Sequence, residues 1–249
     1  MKYMNLTIDQ LHDLLVNKEV TPLDLAKEAI ELAKKDTNNA FEYIMEKEAL
    51  EIASKLTEPE IDNPLWGIPF AIKDNISTKD VPTTASSNIL NGYVPLFNAT
   101  VVEKLLNKHA VPIGKTTLDE LAMGGTGTSG HLGMTYNPYD ETHTRLAGGS
   151  SCGSAAATSA PIVPFALGSD TGDSIRKPAA FGGVVGFKPT YGRISRYGLF
   201  GFASSLDHVG WFSRCVKDIA IVTDAIKGQD EFDMTSLPDD NKKYTETLE

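Results

Sequence analysis

The first third of the chain carries apolar residues at helical spacing. Thr7, with Gln10 three residues on, has the form of a capping box and precedes apolar Ile8, Leu11, Leu14 and Leu15, which predicts a helix opening there. Thr21-Pro22 opens a second helix, threonine as cap and proline at the first helical position, with Leu25, Ala29, Leu32 and Ala33 on its buried face. A third helix is expected over residues 47–55. From Leu65 the pattern shortens. "IPFAIKDNI" reads as a strand, "TVVEKLLNKHA" as a helix, "VPIGKT" as a strand and "LDELAM" as a further helix. Strands alternating with helices predict an α/β layered architecture. Residues 124–153 are rich in Gly, Ser, Thr and Asn and read as loops. The stretch from Gln229 is polar and acidic and reads as an exposed tail. The expected organisation is a helical segment over 1–60 packed on a core over 61–228, with a tail over 229–249.

Composition narrows the class. With 249 residues and 41% hydrophobic content, the chain is long enough to bury a sizeable core. The most apolar stretch, from Ala155 to Leu167, is short, rich in small residues and interrupted by Pro161 and Pro164, so no membrane span is expected. "MKYMNLTIDQ" lacks the apolar core of a secretory signal. Cys152 and Cys215 are too few for a disulfide framework, which points to a reducing, cytoplasmic setting. The net charge of -10 disfavours the Lys/Arg-driven phosphate binding of nucleic-acid readers. Any nucleic acid this protein serves is expected to be held by another chain.

The candidate chemistry lies between Lys73 and His208. His12, His109, His131, His143 and His208 form no H-x-x-x-H pair, the cysteines form no C-x-x-C, and no phosphate-loop motif occurs. No metal site is expected. Gly149-Ser150-Ser151-Cys152-Gly153 fits G-x-S-x-G, the nucleophile elbow of α/β-hydrolases, with Ser151 as nucleophile and Asp170 or Asp207, then His208, in matching chain order. That elbow requires a strand leading into its first glycine, and "NPYDETHTRLAGG" reads as loop. A second constellation has three separated pieces: Lys73 at the end of an apolar strand, Ser150 and Ser151 in a glycine-rich run, and Ser174 in "GSDTGDSIRKPAA". A serine hydroxyl needs a base to become a nucleophile. A lysine serves if burial lowers its pKa, and a second serine can relay the proton. Thr171, Gly172 and Asp173 are placed to offer backbone N–H groups to an oxyanion. Spacing alone equally allows turn glycines, capping serines and a solvated lysine.

The motifs "GGSSCGSAAA", "LGSDTGDSIRKPAAFGGVVGFKPTYGRISRYGL", "ASSLDHVG", "GIPFAIKDNI" and "GKTTLDELAMGG" resemble the amidase signature family over nearly the whole chain. The resemblance implies a mixed β-sheet core covered by helices on both faces. It also implies a Ser-cisSer-Lys triad: Ser174 as the nucleophile that forms an acyl ester, Ser150 as a relay held by a cis peptide, and Lys73 as base, with Ser151 in support. The small residues around Ser150 would then let backbone approach backbone, and "CGSAAATSA" would be a tightly packed helix.

The "KPTYGRISRYGL" and "ASSLD" runs resemble the branch of this family that hydrolyses glutamine inside a multi-subunit tRNA-dependent amidotransferase. That branch implies two partner subunits, one of which holds the tRNA and uses ATP and Mg, and no cofactor on this chain. Family members are considerably longer, so the resemblance implies that a C-terminal half completing the sheet and the glutamine pocket is missing here. A general small-amide amidase and a catalytically impaired fragment are the alternatives. Three positions depart from the family pattern: Asp173 and Cys152 stand where glycine is usual, and Trp211 where proline is usual. Asp173, just before the nucleophile, is expected to point at Ser174 or Lys73 and to depress activity.

Overall fold

A computed structural model describes residues 1–248. Glu249, the last residue of the expected tail, lies outside the described residues. The chain opens with α1 (Ile8–Val16) and α2 (Pro22–Lys34), then β1 (Phe41–Ile44), α3 (Glu46–Lys55) and β2 (Pro69–Lys73). It continues through α4 (Thr100–Asn107), β3 (Val111–Thr116), α5 (Cys152–Ser159), β4 (Phe165–Asp170) and α6 (Arg176–Gly182). β5 (Val185–Phe187), β6 (His208–Ser213) and α7 (Val216–Ile226) complete the layered part.

The expected caps form. The Gln10 N–H donates to Thr7 Oγ1 at 3.3 Å, and Gln10 Oε1 accepts from the Thr7 N–H at 3.0 Å. Thr21 and Asp24 exchange the same pair of bonds at 3.1 Å each, with Pro22 opening α2. Each cap satisfies N–H groups that the first helical turn leaves without partners. Ile8, Leu11 and Leu15 of α1 and Leu25, Ala29 and Ala33 of α2 are buried in the cluster that also holds the strands.

The six strands form one mixed sheet in the order β1-β3-β2-β4-β6-β5. β2 lies between β3 and β4, parallel to both, while β1, β6 and β5 pair antiparallel. β2, β3 and β4 are buried along their whole length. No polar-apolar alternation marks them, because both faces are covered. Consecutive residues of a strand face opposite sides, and β6 shows the two layers. Trp211 joins the large cluster and donates its indole N–H to Ile219 O of α7 at 3.3 Å. Phe212 packs with Ala155 of α5 and with Ile175 and Ala179. Helices therefore cover both faces, α7 on one and α5 with α6 on the other.

Two expectations change. "LDELAM" is not an α-helix. Only Glu120–Ala122 forms a short 3-10 turn, and Leu121 sits at φ 54°. The reason is Asp119, whose carboxylate accepts N–H groups from Thr126, Gly127, Thr128 and Ser129 and so bends the chain into a loop. The stretch from Gln229 is also not simply exposed. Arg196 grips Asp233 through Nη2 and Nε at 3.0 and 3.1 Å, and Asp233 is buried. Asp224 of α7 accepts the N–H groups of Tyr244 and Thr245. Acidic composition suggested a solvated end, but Asp233 meets the Arg196 guanidinium, and N–H groups further along the tail meet a carboxylate of α7.

Candidate active site

The C-terminal end of β2 delivers Lys73 into the layer beneath the start of α5. Its Nζ lies 2.7 Å from Ser150 Oγ, 2.9 Å from Ser151 Oγ and 2.9 Å from Ser169 Oγ. All four side chains are buried. The Gly149–Ser150 peptide is cis.

The small residues explain how α5 comes so close. Every residue of α5 is buried. A Cβ on Gly153 would collide with Ala40 O and with Thr117, and one on Gly149 would collide with the Asp119 carboxylate. Ser154 Oγ donates to Leu167 O at 2.8 Å and lies 2.6 Å from Thr116 Oγ1, tying α5 to β4 and β3. A helix with larger side chains would hold its N-terminus too far from the strands for Ser150 and Ser151 to reach Lys73.

Ser174 reaches the site from the next loop. β4 ends at Asp170, whose carboxylate accepts from Arg176 Nη2 at 3.0 Å, Arg176 Nε at 3.2 Å and the Ile175 N–H at 2.9 Å. Burial works against the charged form of Asp170, but these donors hold its carboxyl below the ordinary range. The clamp closes the loop 171–175 on itself. Thr171 Oγ1 donates to Asp207 Oδ1 at 2.6 Å, and the Ser151 N–H donates to Ser174 O at 3.2 Å. Ser174 is 6% exposed. Among the described residues, no hydrogen bond uses its Oγ, and none uses the N–H groups of Thr171, Gly172, Asp173 or Ser174. Four successive donors thus stand free beside a buried serine.

The electrostatics favour a neutral amine. Burial pushes Lys73 down to about 7, against the pull of Cys152, Asp119 and Asp170. Asp119 and Asp170 are engaged by their own loops, and burial pushes the Cys152 thiol up to about 11. No carboxylate lies within ion-pair distance of Lys73 among the described residues.

Asp173 corrects an expectation. Its carboxylate does not turn to Ser174 or Lys73 but pairs with Lys177 one turn along, at 2.6 Å, with 45% of the side chain exposed. The loop ends in the first turn of α6, where a residue four further on offers a cation at the surface. The other two departures are absorbed by packing. Cys152 Sγ accepts from Thr135 Oγ1 at 3.3 Å, and Trp211 is fully buried against Phe187.

The elbow reading is not assembled. Ser151 Oγ donates to Ser169 O at 3.0 Å. His208 Nδ1 lies 2.6 Å from Leu206 O and its Nε2 faces Lys188. Asp207 takes the N–H groups of Phe202 and Ala203. Among the described residues no strand enters Gly149. Among them, too, no three His, Cys, Asp or Glu gather to hold a metal, and no helix is long and apolar enough to cross a membrane.

Ser169 and Asn75 escaped the motif reading. Asn75 Nδ2 donates to Ser169 Oγ at 3.0 Å, and both residues are buried. Their signal is the parallel pairing of β2 with β4, in which Ile72 faces Leu167 and the residues just beyond meet. Strand pairing is invisible to motif spacing.

A family model described as Amidase matches residues 23–249. The chain is 48% identical to the A subunit of the glutamyl-tRNA(Gln) amidotransferase of Staphylococcus epidermidis, over 97% of this chain and 51% of that protein. It is 49% identical to the corresponding protein of Oenococcus oeni over 96% of this chain and 50% of that protein. Among solved structures it matches the glutamyl-tRNA(Gln) amidotransferase A subunit of Thermotoga maritima, with a TM-score of 0.82 at 41% identity, over 96% of this chain and 50% of that one. The chain spans about half the length of the relatives it matches.

Proposed function

The chain belongs to the amidase family, and we propose that it carries the acyl-transfer centre of a glutamine-hydrolysing amidotransferase subunit. The observation that carries this reading is Lys73: fully buried, without a carboxylate partner among the described residues, and 2.7 Å from Ser150 Oγ. A lysine so placed can be neutral near pH 7 and take a proton.

In this reading Ser174 Oγ attacks the side-chain amide carbon of glutamine. Its proton passes to Ser150 Oγ while the Ser150 proton passes to Lys73. The carbonyl oxygen becomes an oxyanion, and the free N–H groups of the 171–174 loop are the donors at hand to receive it. The tetrahedral adduct collapses as the C–N bond breaks. The proton held on Lys73 returns through Ser150 to the leaving nitrogen, which departs as ammonia. A glutamyl ester remains on Ser174, and water attacks it by the same proton route. Ser151 supports the site by accepting from Lys73 and from the Ser169 N–H.

The names of the relatives support the assignment of glutamine as the amide and of Glu-tRNA(Gln) as the final acceptor of the ammonia. The partners in this reading are the B and C subunits of a heterotrimer. The B subunit would hold the tRNA and use ATP and Mg, in keeping with the acidic charge of this chain. The setting is the cytoplasm.

A fluorophosphonate tests the centre without requiring glutamine to bind. The expected adduct, located by peptide mass spectrometry, is on Ser174 and is lost in Ser174→Ala. An adduct on Ser151, or none at all in the folded chain, overturns the assignment. Glutaminase activity measured with and without the B and C subunits then tests the amidotransferase assignment.

A further inference from the structure

Resting on the proposed acyl-transfer reading, we infer that Ser169, anchored by Asn75, is a positioning residue that completes a three-hydroxyl cage for the protonated form of Lys73. A neutral lysine amine has two N–H groups and one lone pair, whereas the ammonium has three N–H groups and no acceptor. Lys73 Nζ has three hydroxyl oxygens within 2.9 Å: those of Ser150, Ser151 and Ser169. Three acceptors match the ammonium. They exceed by one what the neutral amine can fill.

The polarity of one of the three is set by its other bonds, and the position of a second is fixed by them. Ser151 Oγ donates its single hydrogen to Ser169 O at 3.0 Å, so towards Lys73 it only accepts. Ser169 Oγ has one lone pair occupied by Asn75 Nδ2 at 3.0 Å, which fixes the hydroxyl where its other side meets Lys73 at 2.9 Å. Towards the neutral amine, whose single lone pair takes one hydrogen, Ser150 and Ser169 are the two hydroxyls free to donate, and donation by Ser150 is the arrangement from which its proton transfers. When the proton arrives, the third N–H turns to Ser150 Oγ, and no donor is stranded in the buried site. Ser169 therefore acts through Lys73 and touches no substrate.

The other charged or titratable groups around Lys73 come from three elements, and each is already engaged. Cys152 at the start of α5 is protonated. Asp119, after β3, accepts from the 126–129 loop, and Asp170, at the end of β4, is gripped by Arg176. None of them supplies the missing acceptor. Asp74, next to Lys73 in sequence, pairs with Lys115 instead.

The test is Ser169→Ala in the full chain, read in two ways. The first is the pH profile of Ser174 acylation by p-nitrophenyl acetate. Removing one acceptor harms the ammonium more than the amine, so the acid limb is expected about one pH unit lower and the plateau rate about tenfold lower. Ser169→Thr keeps the hydroxyl and is expected to restore both. The second is a direct NMR titration of the Lys73 side-chain nitrogen in 15N-lysine-labelled protein, which is independent of activity and is expected to show the same downward shift. An unmoved Lys73 titration in a folded Ser169→Ala protein overturns the inference even if the rate falls. Wild-type protein that titrates as described but is never acylated at Ser174 overturns the acyl-transfer reading alone.

Discussion

Two lysines are buried side by side in this sheet, and they are held in opposite ways. Lys73 ends β2 and pairs across the sheet with Thr116, while Lys115, one position earlier on β3, pairs with Ile72. The one-residue offset sends the two side chains to opposite faces. Both are fully buried, and burial lowers the pKa of both. Lys115 meets the Asp74 carboxylate at 3.2 Å and donates to Thr83 Oγ1 and Ile76 O. Lys73, among the described residues, meets hydroxyls only. A carboxylate holds a proton on an amine, whereas neutral hydroxyls stabilise it far less. The pair at Lys115 is architecture for the 74–84 loop, and the unpaired lysine is the one left free to exchange a proton.

The comparison breaks most directly at Lys73. Lys73→Met is expected to slow Ser174 acylation by about a thousandfold, within the range of general base catalysis. It removes a desolvated amine that has no counter-ion, so the thermal midpoint is expected to hold or rise. Stopped-flow acylation and calorimetry read the two effects. A large loss of stability would mean that Lys73 is structural after all.

Lys115→Met is expected to behave the other way round. It leaves Asp74 buried and unpaired, which costs about 3–5 kcal/mol of folding stability. Molecules that remain folded should acylate at nearly the wild-type rate. Urea unfolding followed by fluorescence measures the first, and active-site titration of the folded fraction the second.

The pH dependence sharpens the contrast. A base acts only when unprotonated, so the acylation rate is expected to rise with pH through about 7, where Lys73 loses its proton. Stability has the same sign. The unfolded chain binds a proton on this lysine up to its ordinary pKa of 10.5 and the folded chain only up to about 7. The unfolded state therefore holds more protons in that window, and stability rises with pH across it. Lys73→Met should flatten that rise, as urea midpoints measured from about pH 6.5 to about pH 10 would show. The smallest effect is expected at Asp173→Gly. An ion pair half open to water contributes little, so the acylation rate should change by less than about twofold.

Much of this was legible along the chain. The caps at Thr7 and Thr21 and the face of α2 follow from local hydrogen bonding and a 3.6-residue period, which neighbouring residues settle among themselves. "VPIGKT" and the core of "IPFAIKDNI" announce β3 and β2 by apolar content. β4 did not announce itself. "FALGSD" directly follows a proline-broken run of small residues, and it is a strand because β2 and β6 flank it. The turn at Leu121 was hidden for a similar reason: the Asp119 carboxylate serves a loop seven to ten residues later, where no periodicity looks.

The residue types of the candidate site, a lysine and serines in three separated motifs, belong to the sequence by itself. The glycines at 149 and 153 are written there too, but the demand for them comes from tertiary contacts, where a Cβ would meet the Asp119 carboxylate or Ala40 O. Which serine faces the lysine, that Ser169 and Asn75 join them, and that Asp173 turns away to Lys177 were decided by tertiary structure. Those contacts are set by the register of parallel strands and by the depth at which α5 seats on them. They join residues as far apart in the chain as Lys73 and Ser169, and whether a charge is tolerated there depends on burial that no local pattern encodes.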